Sequence, residues 1–316
     1  GYRELLGISS HELYHTWNVK NIRPKEMMPY DFSKENYSKL GYVTEGVTTY
    51  FGDQFLVRSG VFSKIEYLVE LGRQIQRHYD NPGRFNLSVA DSSFDTWLDG
   101  YVRGIPHRKV SIYVEGCLIA FICDVRILEA TEGRASLDEI MKQLYMNFGQ
   151  KQIGYAEQDY LDALEQVSGV SFEDIRKDLI HGCEDYTPYL KKAFAWLGIE
   201  WHREESEWWE THMGVQIKMP NNVPVVWEVW PGSPAMKAGL WRNDVLLKAN
   251  GIELGLDWYE QLQMLKGPEL ELESSKRNHK RNCELIADGI RYYENHQLTL
   301  SKPNPKMTNW KSWLRS

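Results

Sequence analysis

ISSHELYHTW, residues 8–17, sets His11 and His15 four apart with Glu12 directly after the first histidine. A helix turns about 100° per residue, so positions i and i+4 share a face. His11 and His15 can then hold one metal ion. Glu12 projects from the neighbouring side, where it can reach a water without taking up a coordination position. The bland alternative is a half-buried helix carrying two satisfied histidines, and a third ligand decides between the two.

A catalytic zinc takes three protein ligands and keeps one position open for water. The metzincin pattern would need glycine and histidine where Asn18 and Asn21 stand, so the third ligand lies elsewhere. KLGYVTEGVTTYFGDQFLVRSG (39–60) reads as a second helix antiparallel to the first, with Glu45 as the candidate. Between the two, Pro24 and Pro29 break any continuous helix and leave a loop long enough to reverse the chain. A solvated helix carboxylate is the usual fate of a glutamate. The hydroxyls of Thr48 and Thr49, standing nearby as partners for a ligand, favour the metal.

HELYHTWNVKNIRP followed by TEGVTTYF resembles the signature of the glycyl aminopeptidase family, gluzincin zinc metallopeptidases. The similarity continues through RSGV, SFDTW, VEGCLIAFICDVRI and SLDEIMKQLY. It implies a mainly α catalytic lobe of the thermolysin-like kind, with His11, His15 and Glu45 as ligands of one zinc and Glu12 as general base and acid. It also implies the activity, removal of small first residues such as glycine and alanine from peptide substrates. Such a hydrolase needs a donor for the oxyanion that develops in the transition state. VSIYVEGCLIAFICDVRILEA (110–130) opens on Tyr-x-x-Gly, similar to the Tyr-Glu-Lys-Gly of aminopeptidase N-like enzymes, which implies Tyr113 for that role. Glu115 stands where those enzymes have lysine, and among eighteen tyrosines a structural Tyr113 is equally consistent with the residues alone.

The second half changes character. Residues 1–203 read as the helical catalytic domain, 204–301 as a small α+β PDZ-like domain and 302–316 as a C-terminal tail. Helices over SLDEIMKQLYMNFG and SFEDIRKDLIHG open on Ser136 and Ser171 caps and close on Gly149 and Gly182. IEWHREESEWWETH (199–212) is charged and aromatic without a helical stripe and reads as a linker. Short β-rich runs follow at VPVVWEVW and NDVLLKANGIEL, with small helices at PGSPAMKAGL and WYEQLQML; KRNHKR (276–281) reads as a solvated hairpin. GSPAMKAGLWRNDVLLKANG resembles the PDZ domains of bacterial proteases, which implies binding of an extended strand or a peptide C-terminus. No glycine-hydrophobic-glycine-hydrophobic loop accompanies HMGVQIK, so a packing role is equally consistent.

A chain of 316 residues, 42% hydrophobic and 13% aromatic, is globular and long enough for two domains. Its net charge of −7 disfavours nucleic acid as a partner. CLIAFICDVRI, the longest apolar candidate, is cut by Asp124 and Arg126 and does not span a bilayer. Cys117, Cys123, Cys183 and Cys283 show no metal spacing and no disulfide framework, which slightly favours a reducing, cytoplasmic setting; the compartment is otherwise undetermined. Trp17, Trp97, Trp196 and Trp201 are read as core or interface residues, and Arg23 as orienting substrate or pinning its loop with equal weight. The alternatives to an aminopeptidase are an endopeptidase using the same zinc and a non-catalytic peptide-binding adaptor, against which the complete His11, Glu12, His15, Glu45 set weighs. In similar gluzincins the amine-binding parts come from upstream of HExxH. The resemblance therefore implies that this chain lacks them and cleaves more weakly than a version extended upstream.

Overall fold

The computed structural model describes residues 1–99, 104–277, 279–301 and 306–315. The chain forms two units, residues 1–202 with 296–316 and residues 203–295. In the first, α1 (Tyr2–Tyr14) is followed by a π-helical turn, Tyr42–Val47, that runs on into α2 (Thr48–Arg58). Then come α3 (Lys64–Tyr79), α4 (Val89–Phe94), α5 (Thr96–Asp99) and α6 (Ile112–Ala130). Helix α6 is apolar on nearly every face, and Leu118, Phe121, Cys123, Ile127 and Leu128 are completely buried, as a helix surrounded by others must be. Around it lie α7 (Leu137–Leu144), α8 (Glu157–Ser168), α9 (Glu173–Ile175) and α10 (Thr187–Leu197). Capping boxes close the starts of α3, at Ser63 and Glu66, and α7, at Ser136 and Glu139. The Ser171 hydroxyl accepts from the Glu173 amide as expected, but regular α-helix lasts only to Ile175 before a π turn, Arg176–Ile180.

Two glycines let α6 approach the π turn. A Cβ on Gly46 would lie 2.3 Å from the Gly116 Cα, and one on Gly116 would lie 2.4 Å from the Tyr42 carbonyl oxygen. No side chain fits there. The backbones therefore touch, and Glu45 and Tyr113 are brought to the same end of the crossing.

Helix α2 also carries a strained acid. Burial and the nearby Glu70 push the Asp53 carboxyl up to about 7, against the pull of Arg77. The folded chain thus holds this proton to higher pH than the unfolded chain, where an aspartate titrates near 3.9. The stabilisation is present below about pH 4 and is lost as pH rises through 7. Asp53→Asn is expected to raise stability at pH 8 by about 2 kcal/mol, allowing for partial exposure of the side chain, and to change little at pH 4. Urea melts at the two pH values check this; equal shifts at both would remove the titration as the cause.

The second unit opens on α11 (Trp208–Met213) preceded by β1 (Ile199–Glu204), which belongs mostly to the first. Its antiparallel sheet runs β2 (Val215–Lys218), β3 (Val225–Val229), β4 (Val245–Ala249), β6 (Glu269–Lys276), β7 (His279–Ile286), with β5 (Ile252–Glu253) paired to β4. Helices α12 (Pro234–Lys237) and α13 (Trp258–Met264) complete it. Asn250 and Gly251 turn β4 into β5 with φ of 45° and 80°, the left-handed pair a tight hairpin requires. Lys276 pairs with His279, so the basic run is a hairpin end. Gly214, with φ of 66°, closes α11, and a Cβ there would meet the Ser233 Cβ at 2.4 Å. Its close approach serves packing within the unit.

Two boundaries differ from the sequence reading. Residues 199–204, read as linker, form β1, and its partner is β8 (Asn295–Leu300), all of which the sequence reading assigns to the second domain. The expected tail contains α14 (Met307–Leu314), whose Trp310 and Trp313 are fully buried in the first unit's core. Trp313 Nε1 donates to the Tyr50 hydroxyl at 2.7 Å, and Tyr50 donates to Asp124 at 2.5 Å. Burial pushes Asp124 up to about 6. Large aromatic area and a satisfied polar network hold this segment, a long-range effect that local composition does not signal. Among the described residues no helix is long and apolar enough to cross a membrane.

Candidate metal centre

Helix α1 and the π turn before α2 bring three donor atoms together. His11 Nε2 lies 3.2 Å from Glu45 Oε2, His15 Nε2 lies 3.3 Å from the same oxygen, and the two nitrogens are 3.0 Å apart. Four ligands at about 2.0–2.1 Å in a tetrahedron stand about 3.3 Å from one another. The observed triangle fits such a set, and among the described residues it is the group of His, Cys, Asp and Glu side chains close enough to share an ion. His15 caps the end of α1 with helical φ and ψ, so the i, i+4 relation to His11 survives the helix terminus. Glu45 sits inside the π turn, a wider coil that is frequent at functional positions.

The backbone and hydroxyls behind these side chains fix their rings. His15 Nδ1 faces the Asn18 carbonyl at 3.1 Å, so Nδ1–H donates there and Nε2 is the ring nitrogen that faces the cluster. His11 Nδ1 faces the Thr49 hydroxyl at 3.4 Å, and that hydroxyl donates to the Glu45 carbonyl at 2.8 Å. Burial opposes charge on His15, but Glu45, the Asn18 carbonyl and Glu12 hold its pKa above the ordinary value. Burial likewise works against the Glu45 carboxylate, yet hydrogen bonds from His11 and His15 bring it down to about 2.

Asn18 and Gly52 were not singled out as functional from the sequence. The fully buried Asn18 amide donates to the Val43 and Thr44 carbonyls and to the Thr48 hydroxyl, tying the loop after α1 to the glutamate helix. Gly52 lets α2 lie against α1, since a Cβ there would be 3.1 Å from the backbone of His11. Ser10 donates to the Gly52 carbonyl at 2.7 Å beside it. A polar residue just after one helix and a glycine within the next are the available signals, and neither is specific by itself.

Glu12 is exposed next to His11. Tyr113 is half-buried, its ring centroid 6.0 Å from that of His11, so the structure places the expected tyrosine at the cluster. Glu115 points elsewhere, buried at 2.7 Å from His78 Nδ1 in the core. Arg23 is spent on its own loop: Nε donates to the Val19 carbonyl at 3.0 Å and the guanidinium lies over the Tyr30 ring. Val19, a β-branched residue with φ of 84°, is held by that contact and by its amide to Ile22. Of the tryptophans, Trp196 and Trp201 pack on the core, whereas Trp17 and Trp97 are about half exposed and line cavities.

Two imidazoles and a carboxylate converge on one point and could hold a divalent metal ion, with a second carboxylate and a phenol beside them. The sequence model of the M61 glycyl aminopeptidase family matches residues 4–119, which include all five of these residues, and the resemblance drawn from the sequence is shown for that segment. The crystal structure of an aminopeptidase N family protein from Idiomarina loihiensis is 25% identical with a TM-score of 0.87, over 99% of this chain and 55% of that one. The chain thus spans little more than half the length of that relative. The HtrA3 PDZ domain, solved with a phage-derived ligand, is 19% identical over 29% of this chain and 90% of that domain, with a TM-score of 0.21. The photosystem II D1 C-terminal processing protease is 15% identical over 55% of this chain and 44% of that one, with a TM-score of 0.24. At those scores neither bears on the fold. No curated protein matches the chain.

Proposed function

We propose that this chain carries the catalytic centre of a zinc-dependent aminopeptidase of the gluzincin type, acting on peptides whose first residue is small, glycine or alanine. The observation that carries the reading is the triangle of His11, His15 and Glu45 donors at 3.0–3.3 Å. When bound, zinc would polarise the peptide carbonyl and lower the pKa of water toward about 7. The chain's own residues do the rest. Glu12, exposed beside His11, takes the proton from the attacking water and returns it to the leaving amine. Tyr113, packed near the His11 ring, donates its hydroxyl hydrogen to the oxyanion. The matched family and the similarity to an aminopeptidase N family protein support this choice of reaction.

The test is metal content measured beside cleavage. About one zinc per chain is expected, and His11→Ala, His15→Ala and Glu45→Ala should each lose most of it. Glycyl and alanyl peptides with free amino termini should be cleaved and their blocked counterparts spared; equal cleavage of both would point to an endopeptidase. Tyr113→Phe should lower kcat about a hundredfold with KM and zinc content nearly unchanged, as loss of one oxyanion donor does. Collapse of stability in that variant, with kcat intact in the folded fraction, would make Tyr113 structural.

A further inference from the structure

A cavity of about 320 Å³ lies between the end of α1, α2 and α7, and none of its lining residues belongs to the metal centre. Ile22, Phe51, Phe55 and Met141 supply apolar walls. The Tyr14 ring stacks on Phe51 with centroids 4.8 Å apart and meets Phe55 edge-on at 5.5 Å, and the Arg58 guanidinium lies over the Phe51 ring, so these walls are fixed. An apolar cavity of about 150 Å³ takes one benzene ring, which leaves room here for two fused rings.

Several hydrogen-bond donors border this space unused. Tyr14 is 5% exposed, yet its hydroxyl has no hydrogen-bond partner among the described residues. Nor have the Trp17 indole N–H, the Tyr145 hydroxyl and the exposed Lys142 ammonium. Among the described lining residues the acid is Asp138, and it is spent. Arg58 Nη1 donates to its two oxygens at 2.8 and 3.1 Å, and the Ser136 hydroxyl donates to it at 2.8 Å. Arg58 and Arg315 pair with Asp138 and Glu139, which leaves the charge of Lys142 unbalanced at the rim. A cation would find no free carboxylate on these walls, and an inorganic anion would leave the apolar surface wet. An uncharged ring would leave the buried phenol without an acceptor.

We propose that this cavity binds a small aryl carboxylate, with its rings on the walls of Phe51, Phe55 and Met141 and its carboxylate accepting from Tyr14 and Lys142. The site is separate from the peptidase reading and stands or falls without it. Such a ligand answers both features at once, since its rings remove apolar area from water and its charge strengthens the hydrogen bond from a deeply buried donor.

The experiment uses the full chain incubated with zinc, and naphthylacetate and the neutral naphthylacetamide as probes. The readout is the ¹⁹F resonance of 5-fluorotryptophan at position 17, assigned by its disappearance in Trp17→Phe. Naphthylacetate should shift it saturably and bind at least about tenfold more tightly than the amide, the worth of a hydrogen bond to a charged group. Tyr14→Phe keeps the ring on Phe51 and removes only the hydroxyl, so it should fold normally and lose most of that preference. Lys142→Met, at an exposed position, should weaken the acid about two- to fivefold and leave the amide unchanged. His11→Ala, expected to lose the zinc, should bind the acid as the parent does; loss of binding there would assign the carboxylate to the metal and overturn the site. Equal affinity for acid and amide, or no shift up to the solubility limit, overturns it as well. A resonance at position 17 that moves with protein concentration before any acid is added would give the cavity to a second copy of the chain, and the proposal would fall.

Discussion

Glu12→Gln is expected to keep its zinc and to lose peptide cleavage by a factor on the order of hundreds or more, the usual loss when a positioned general base is removed. Glutamine matches glutamate in shape but cannot accept the proton of the attacking water. Glu12 stands outside the donor triangle of His11, His15 and Glu45, and it is exposed, so the exchange disturbs neither the ligand spacing nor the core. Its charge does help hold the His15 pKa up. Removing it takes away a negative charge that favours a metal dication as well as a proton, while the three ligands stay in place, so zinc binding should hold or weaken only slightly. Metal analysis and kcat/KM for a glycyl amide, measured on one preparation, check both halves. Loss of zinc would put Glu12 among the ligands, and undiminished cleavage would end its role as base.

Gly46→Ala is expected to destabilise the first unit by about 3 kcal/mol and to weaken zinc binding with it. The added methyl would sit 2.3 Å from the Gly116 Cα, a backbone atom that no rotamer change can move aside. The π turn must then shift off α6, carrying with it Glu45, the residue before Gly46. Gly7→Ala on α1 is the matched control. It has nothing within 4 Å of its new Cβ, and replacing a helical glycine there should add about 0.5–1 kcal/mol and leave the metal unaffected. Thermal or urea melts with zinc titrations on the two variants distinguish the outcomes. A Gly46→Ala protein as stable as the parent would mean that the crossing of α6 and the π turn is looser than its geometry states.

The pairing of His11 with His15 was the most legible part of the candidate site because its information is local. His11 and His15 lie one helical turn apart, and four residues of sequence are enough to put them on one face. Glu45 was harder. Its pairing with them depends on a reversal of the chain over more than twenty residues, which Pro24 and Pro29 permit without specifying. Trp97 was misjudged for a related reason: whether a tryptophan fills a core or walls a cavity depends on what packs over it. Neither composition nor period reports that.

The residues alone determined the shared face of His11 and His15, the cap of α7 at Ser136, the Asn250–Gly251 turn and the change of character near residue 200, since each follows from bonds or dihedrals within a few positions. Tertiary structure alone decided that Gly46 meets Gly116, that Asn18 ties its loop to the glutamate helix, and that β8 and α14 return to the first unit. Those contacts join segments from about twenty-five to more than two hundred and fifty residues apart, as Asn18 to Val43 and Trp313 to Tyr50 show. Their stability comes from apolar area removed from water and from polar groups satisfied across that distance, quantities that exist only once the chain has folded.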